Sequence, residues 1–214
     1  MVDRLFIKTH RITERIEMKL VCGVGVNDKT FPAKVGGKLT REYTLWSNML
    51  NRCYSSAYHK FRPTYTECSL SEAFKHFSYF HRWVNSQIGF QSMEGGGAWA
   101  LDKDLLVKGN KLYSEDTCVF VPQSINLLLI KRDADRGVSP IGVCWSEKHG
   151  CYRASCRVGG LKQHIGLYQT AEAAFSAYKL VKENEIKKRA KDYHHLLDPR
   201  VFEALLKYKV EIED

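Results

Sequence analysis

Asp102, Asp104 and Asn126 are the residues whose types and spacing point most directly to chemistry, within the stretch LDKDLLVKGNKLYSEDTCVFVPQSIN at 101–126. The acidic pair ends an apolar run, and a Gly109-Asn110 turn follows. A second apolar run then centres on Val119, Phe120 and Val121, and Asn126 falls in a short helix expected after Pro122. In a strand–turn–strand–helix unit this order brings Asp102 and Asn126 together, which supplies two oxygen ligands for a hard divalent cation, with Asp104 as a reserve carboxylate. The same residues also fit an ordinary hairpin whose acids and Lys103 are only solvated.

The layout resembles the HNH, or ββα-metal, nuclease finger, in the divergent form found in bacteriophage homing-type endonucleases. The resemblance implies that Asp102 takes the acidic metal position, Lys103 the place of the general-base histidine, Asn126 the closing ligand on the helix, and Asn110 a turn position that braces the loop. Catalytic roles then fall to Asp102, Lys103 and Asn126, and metal ligation of Mg²⁺ or Mn²⁺ to Asp102, Asn126 and Asp104. The implied reaction is phosphodiester hydrolysis, the metal stabilising the scissile phosphate and the leaving oxygen. Asp102-Lys103 stands where such fingers read Asp-His, and an ammonium group has no lone pair with which to activate water. Three possibilities follow: Lys103 is held neutral by metal and burial, another residue supplies the base, or the finger persists without cleavage.

The elements that must position these residues can be read along the chain. Residues 22–39 suggest an irregular arm or small hairpin. Thr40 is placed to cap a helix in which Tyr43, Trp46, Leu50 and Cys53 recur at helical spacing. Ser71 is expected to cap a second helix with an aromatic stripe at Phe74, Phe77, Phe80 or His81, and Val84, which reads as core. Gly95, Gly96 and Gly97 read as a hinge, because no Lys-Ser or Lys-Thr follows them at phosphate-loop spacing. The polar residues 131–140 read as a linker between a domain at 1–130 and a second at 141–214.

Beyond the linker the pattern changes to short strands at 142–145, 152–158 and 162–168, then to a long helix from Thr170. Alternation turns Tyr152, Ala154, Cys156 and Val158 toward that helix and Arg153, Ser155 and Arg157 away from it. In the next strand Ile165 and Leu167 are expected inward, leaving Lys162, His164 and Tyr168 outward. Cations on a pleated face can grip phosphates or read guanine edges, and Trp145 could pack against sugars, so Trp145, Arg153, Arg157, Lys162 and His164 are the candidate DNA-binding residues. A solvated basic face is the plainer alternative. Gly142 through Trp145, Tyr152-Arg153-Ala154, Ile165 through Tyr168 and the Ala-rich start at Thr170 resemble the Apetala-type ethylene-response-factor DNA-binding domain, which also occurs fused to phage HNH nucleases. That resemblance implies a sheet lying in the DNA major groove, backed by the helix.

Composition agrees with a polyanionic partner. The 214 residues hold 33 Lys+Arg against 24 Asp+Glu, a formal charge of +9 spread through the chain. No apolar run is long enough to span a bilayer, and Asp3 and Arg4 do not begin a signal peptide, so a soluble cytoplasmic protein is expected, in the host cell if phage-encoded. Seven cysteines with no CxxC pair read as reduced thiols. A zinc site at Cys144, Cys151 and Cys156 is disfavoured, since alternation puts Cys156 on the apolar face. Asp198-Pro199 starts a last helix whose apolar side either packs on the body or joins a second copy, so the oligomeric state stays open.

The fold class expected is α+β: a helical segment and a ββα finger, then a three-stranded antiparallel sheet on one long helix. The expected function is a phage-type DNA-binding protein, a metal-dependent endonuclease positioned on duplex DNA by its carboxy-terminal sheet. The alternatives are a non-catalytic DNA-binding regulator or inhibitor, or an adaptor that offers its basic face to an acidic protein.

Overall fold

A computed structural model describes residues 19–94, 97–130 and 139–214. The linker expected at 131–140 and the hinge glycines Gly95 and Gly96 lie mostly or wholly outside the described residues. The chain is α+β. Strands β1 (Lys34–Val35) and β2 (Lys38–Leu39) form a small antiparallel hairpin within the arm expected before Thr40. Helix α1 (Arg41–Tyr54) then begins where the Thr40 hydroxyl accepts the Tyr43 amide at 3.2 Å, satisfying one of the free donors of its first turn. Trp46, Met49, Leu50 and Cys53 form its buried stripe, and Trp46 Nε1 donates to the Phe74 carbonyl at 2.8 Å, so the largest core side chain leaves no buried donor unpaired.

Helix α2 (Ser56–Phe61) and strand β3 (Ser69–Leu70) lead to α3 (Phe77–Asn85). Ser71 caps as expected, its hydroxyl accepting the Phe74 amide, but the helix it starts is a single 3₁₀ turn at Ala73–Lys75. The break at His76 has a specific cause. The Lys75 carbonyl and the Phe77 amide bond to Val26 of the arm rather than along a helix, which pulls His76 into extended backbone. Phe74, Phe77, Phe80 and Val84 are fully buried, as their spacing requires.

Strand β4 (Ala100–Asp102) pairs antiparallel with β6 (Val119–Val121), with Asp102 opposite Val119, and α4 (Gln123–Leu129) follows β6. The Gly109 turn does not join these two strands directly. It leads into β5 (Leu112–Tyr113), which leaves the finger to pair in parallel with β3 and ties the intervening loop to the helical segment. The Arg41 guanidinium at the start of α1 donates to the carbonyls of Phe90 and Trp99 and lies over the Phe90 ring, holding the chain that enters β4.

The last module is β7 (Val143–Ser146), β8 (Cys151–Val158) and β9 (Leu161–Tyr168), antiparallel in that order, covered by α5 (Ala171–Asp192). Thr170 caps α5 through the Ala173 amide. The first half of α5 buries Ala174, Phe175 and Tyr178 against the sheet, whereas Ile186 and Ala190 in its second half enter the core built by α1, α3 and the finger. Helix α6 (Pro199–Lys207) packs back on that same core through Val201 and Leu205. Two buried carboxylates fasten α5 to its surroundings: Glu183 accepts the Val210 amide at 3.1 Å and Glu185 the Gly159 amide at 2.9 Å. No helix among the described residues is long and apolar enough to cross a membrane.

Gly142 enters β7 with φ of +78°, and a Cβ there would lie 2.1 Å from the Tyr178 ring. Gly142→Ala therefore combines left-handed strain with overpacking, and is expected to lower unfolding free energy by about 3 kcal/mol, measured by urea denaturation.

Candidate metal site and nucleic-acid interface

The finger opens on a cleft of about 540 Å³ to which Asp102, Lys103, Asp104 and Asn126 all contribute, so the residues singled out across 101–126 do converge. Asp102 Oδ1 accepts the amides of Asp104 at 2.9 Å and Leu105 at 2.8 Å, turning the chain sharply at the end of β4. Burial, and then the charge of Asp104, push the Asp102 carboxyl up to about 6 despite those two amides. Asp104 is paired with Lys103 at 3.1 Å, while among the described residues Asp102 is held only by the two amides. Together with the Asn126 amide Asp102 offers hard oxygen donors of the type that Mg²⁺ or Mn²⁺ takes. Among the described residues no group of three or more His, Cys, Asp and Glu side chains is gathered in the manner of a complete metal cage.

Lys103 is placed differently from a base. It is buried, and its Nζ donates to the Asn110 carbonyl at 2.7 Å and to Asp104 Oδ2 at 3.1 Å, 5.8 Å from the centre of the Tyr113 ring. Asn110 returns the contact, its side-chain amide donating to the Lys103 carbonyl at 2.7 Å and to the Leu112 carbonyl at 2.6 Å. The two residues thus close the loop between β4 and β5 as a reciprocal clasp. No histidine lines the cleft among the described residues.

Other residues that line this cleft went unnoticed in the sequence. Leu45, Asn48, Met49 and Arg52 of α1 face the cleft, with Lys108 and Tyr208. Their spacing along α1 is helical and could have been read as a second stripe beside the buried one. Lys108 pairs with Asp214 at 2.8 Å, and Arg52 lies over the Tyr65 ring.

On the carboxy-terminal sheet the register settles which side chains share a face. Arg153 stands opposite Cys144 and Leu167, Ser155 opposite His164, and Arg157 opposite Lys162. Arg153, Arg157, Lys162 and His164 are exposed on the side away from α5, and among the described residues no acidic side chain pairs with Arg153, Arg157 or Lys162. Trp145 does not join them. It pairs with Tyr152, ring to ring at 5.0 Å in a T shape, on the face that α5 covers, and remains half exposed at the sheet edge. Leu167 also departs from expectation. A bulge between Ala154 and Ser155 inserts Ile165, so Ile165 and Tyr168 turn inward and Leu167 outward beside Arg153.

No family model, curated protein or solved structure matches this chain.

Two stability measurements follow from this geometry. Asn110→Ala removes the donors that bridge Lys103 and Leu112 and is expected to cost about 2 kcal/mol in urea unfolding. The Asp102 carboxyl is raised, so it contributes stability that is fully present below about pH 4 and lost as pH rises through about 6. Asp102→Asn keeps the oxygen that accepts the two amides, and should raise the urea midpoint at pH 7.5 while changing it little at pH 4.

Proposed function

We propose that this chain binds duplex DNA through the outer face of β7–β8–β9 and retains the ββα finger without cleavage, as a DNA-binding regulator or inhibitor rather than an endonuclease. The observation that supports DNA binding is the register, which aligns Arg153, Arg157, Lys162 and His164 on one exposed pleated face, the arginines and lysine having no acidic partner among the described residues. A strand face of this kind meets phosphates with its cations and is narrow enough to enter a major groove. The formal charge of +9 steers the chain toward polyanions.

The clasp at Lys103 favours binding over cutting. Its ammonium is directed at a carbonyl and a carboxylate inside the loop, where a general base would need a lone pair directed at water. The second reading is metal-dependent phosphodiester hydrolysis, favoured by the convergence of Asp102, Asp104 and Asn126 on one cleft. A divalent ion held by these oxygens would supply charge stabilisation for the scissile phosphate and the leaving oxygen. Asp102 and Asp104 would balance its charge, and Arg52 and Lys108, which line the same cleft, would bring cations to the phosphate.

Incubating supercoiled plasmid with the protein and Mg²⁺ or Mn²⁺, beside Asp102→Ala, separates the two readings. The expected outcome is a gel shift without nicking, the same for both proteins; nicking abolished by Asp102→Ala would establish the enzyme instead. Arg153→Ala and Arg157→Ala are each expected to weaken duplex binding several-fold and to reduce its salt slope by about one. Unchanged affinity in both would remove the sheet from the interface and leave the acidic-protein adaptor as the account of the basic face.

A further inference from the structure

Phe61, the last residue of α2, is 82 % exposed, more than any other large apolar side chain among the described residues. No other ring or guanidinium among them stacks on it. A single exposed apolar residue is ordinary on a protein surface, but this one stands among cations on a rigid mount. Lys60 and Arg62 adjoin it, and Lys111 reaches the same segment, its Nζ donating to the Thr64 carbonyl at 3.3 Å. All three are exposed, and among the described residues none pairs with an acid. Glu67 is the sole acid from 55 to 70.

The mount is fixed at both ends. Ser55 caps α2 by accepting the Tyr58 amide at 3.2 Å, and the Arg62 amide closes it on the Tyr58 carbonyl at 3.0 Å. His59 Nε2 lies 2.7 Å from the Arg52 carbonyl, and the Tyr58 ring meets Tyr65 edge-on at 5.7 Å. These contacts tie the helix to α1 and to the turn that follows, yet none of its residues is buried. Arg52 and Tyr65 line the finger cleft, so Phe61 belongs to a segment that helps to build that cleft.

A partner that fits must offer a flat apolar surface with anions beside it. Duplex DNA does so at an opened step, where base faces lie next to two rows of phosphates. A lipid surface offers hydrocarbon beneath anionic headgroups, but a helix lying on one needs several apolar side chains. From 40 to 78 Phe61 is the only exposed large apolar residue.

We propose that Phe61 is a wedge that enters a base-pair step of duplex DNA, with Lys60 and Arg62 on the phosphates beside that step. The wedge rests on the DNA-binding reading and adds to the sheet a second contact, one that distorts the duplex.

Nicked plasmid sealed by DNA ligase with the protein bound reports the distortion as a change in linking number, beside the salt dependence of binding to a short duplex. Opening a step untwists it, so the unaltered protein is expected to lower the linking number. Phe61→Ala should leave the linking number at its protein-free value and bind about threefold to tenfold more weakly. Phe61→Trp restores a flat ring and should restore the shift. Lys60→Gln and Arg62→Gln should each reduce the salt slope by about one. The thermal midpoint should stay the same in all four, since the side chains are exposed. A linking number unchanged at saturating protein, or lowered equally by Phe61→Ala, would overturn the wedge and leave the sheet reading, tested by Arg153→Ala, in place. Absence of duplex binding would overturn both. Binding to phosphatidylglycerol vesicles that depends on Phe61, with no change in linking number, would overturn the wedge by assigning the ring to a membrane surface.

Discussion

One helix closes both hydrophobic cores, and the remaining geometry depends on it. Helix α5 spends its first half on the three-stranded sheet and its second half in the core of α1, α3 and the finger. Because Ala174, Phe175 and Tyr178 cover one side of the sheet, the side that carries Arg153 and Arg157 is the one left to solvent. Because Ile186 and Ala190 are locked into the other core, α5 cannot swing to uncover the sheet without opening the rest of the molecule. Glu183 and Glu185 reinforce this lock: each is a buried carboxylate paired with a backbone amide and a cation, and carboxylates in such surroundings are costly to leave unpaired. The helix is amphipathic in two directions along its length, which is why no single apolar stripe marks it.

Much of this was legible because local chemistry and tertiary packing agree. Thr40, Thr170 and Asp198 cap the helices they precede, the aromatic stripe from Phe74 to Val84 is core, and β8 alternates as its Arg and Ala residues require. What escaped depends on contacts distant in sequence. The break at His76 comes from Val26, some fifty residues upstream, and nothing local at 71–85 announces it. The departure of β5 to pair with β3 is likewise nonlocal. In β9 a single bulge reverses the assignment of Leu167 and Tyr168, since a one-residue shift in a period-two pattern exchanges the faces. Trp145 was misplaced for a related reason: its facing follows from its register with Tyr152, which the sequence of β7 alone does not specify.

The finger shows the limit of reading chemistry from residue order. Order and spacing were enough to foresee that Asp102 and Asn126 share a cleft. They were not enough to foresee what Lys103 does there, because that depends on the loop between β4 and β5 folding back. In the folded chain Lys103 and Asn110 each satisfy the other's backbone carbonyl, so the lysine acts as a brace for the turn that Gly109 makes.

A histidine in that place would have a ring nitrogen free to face water, whereas a lysine long enough to cross to the Asn110 carbonyl spends its donors inside the protein. The contacts between Lys103 and Asn110 thereby stabilise the loop from within, through its own side chains and carbonyls. Asp102 and Asp104 line the cleft of the finger together with Arg52, Lys103 and Lys108, whereas Arg153, Arg157 and Lys162 are exposed on the sheet.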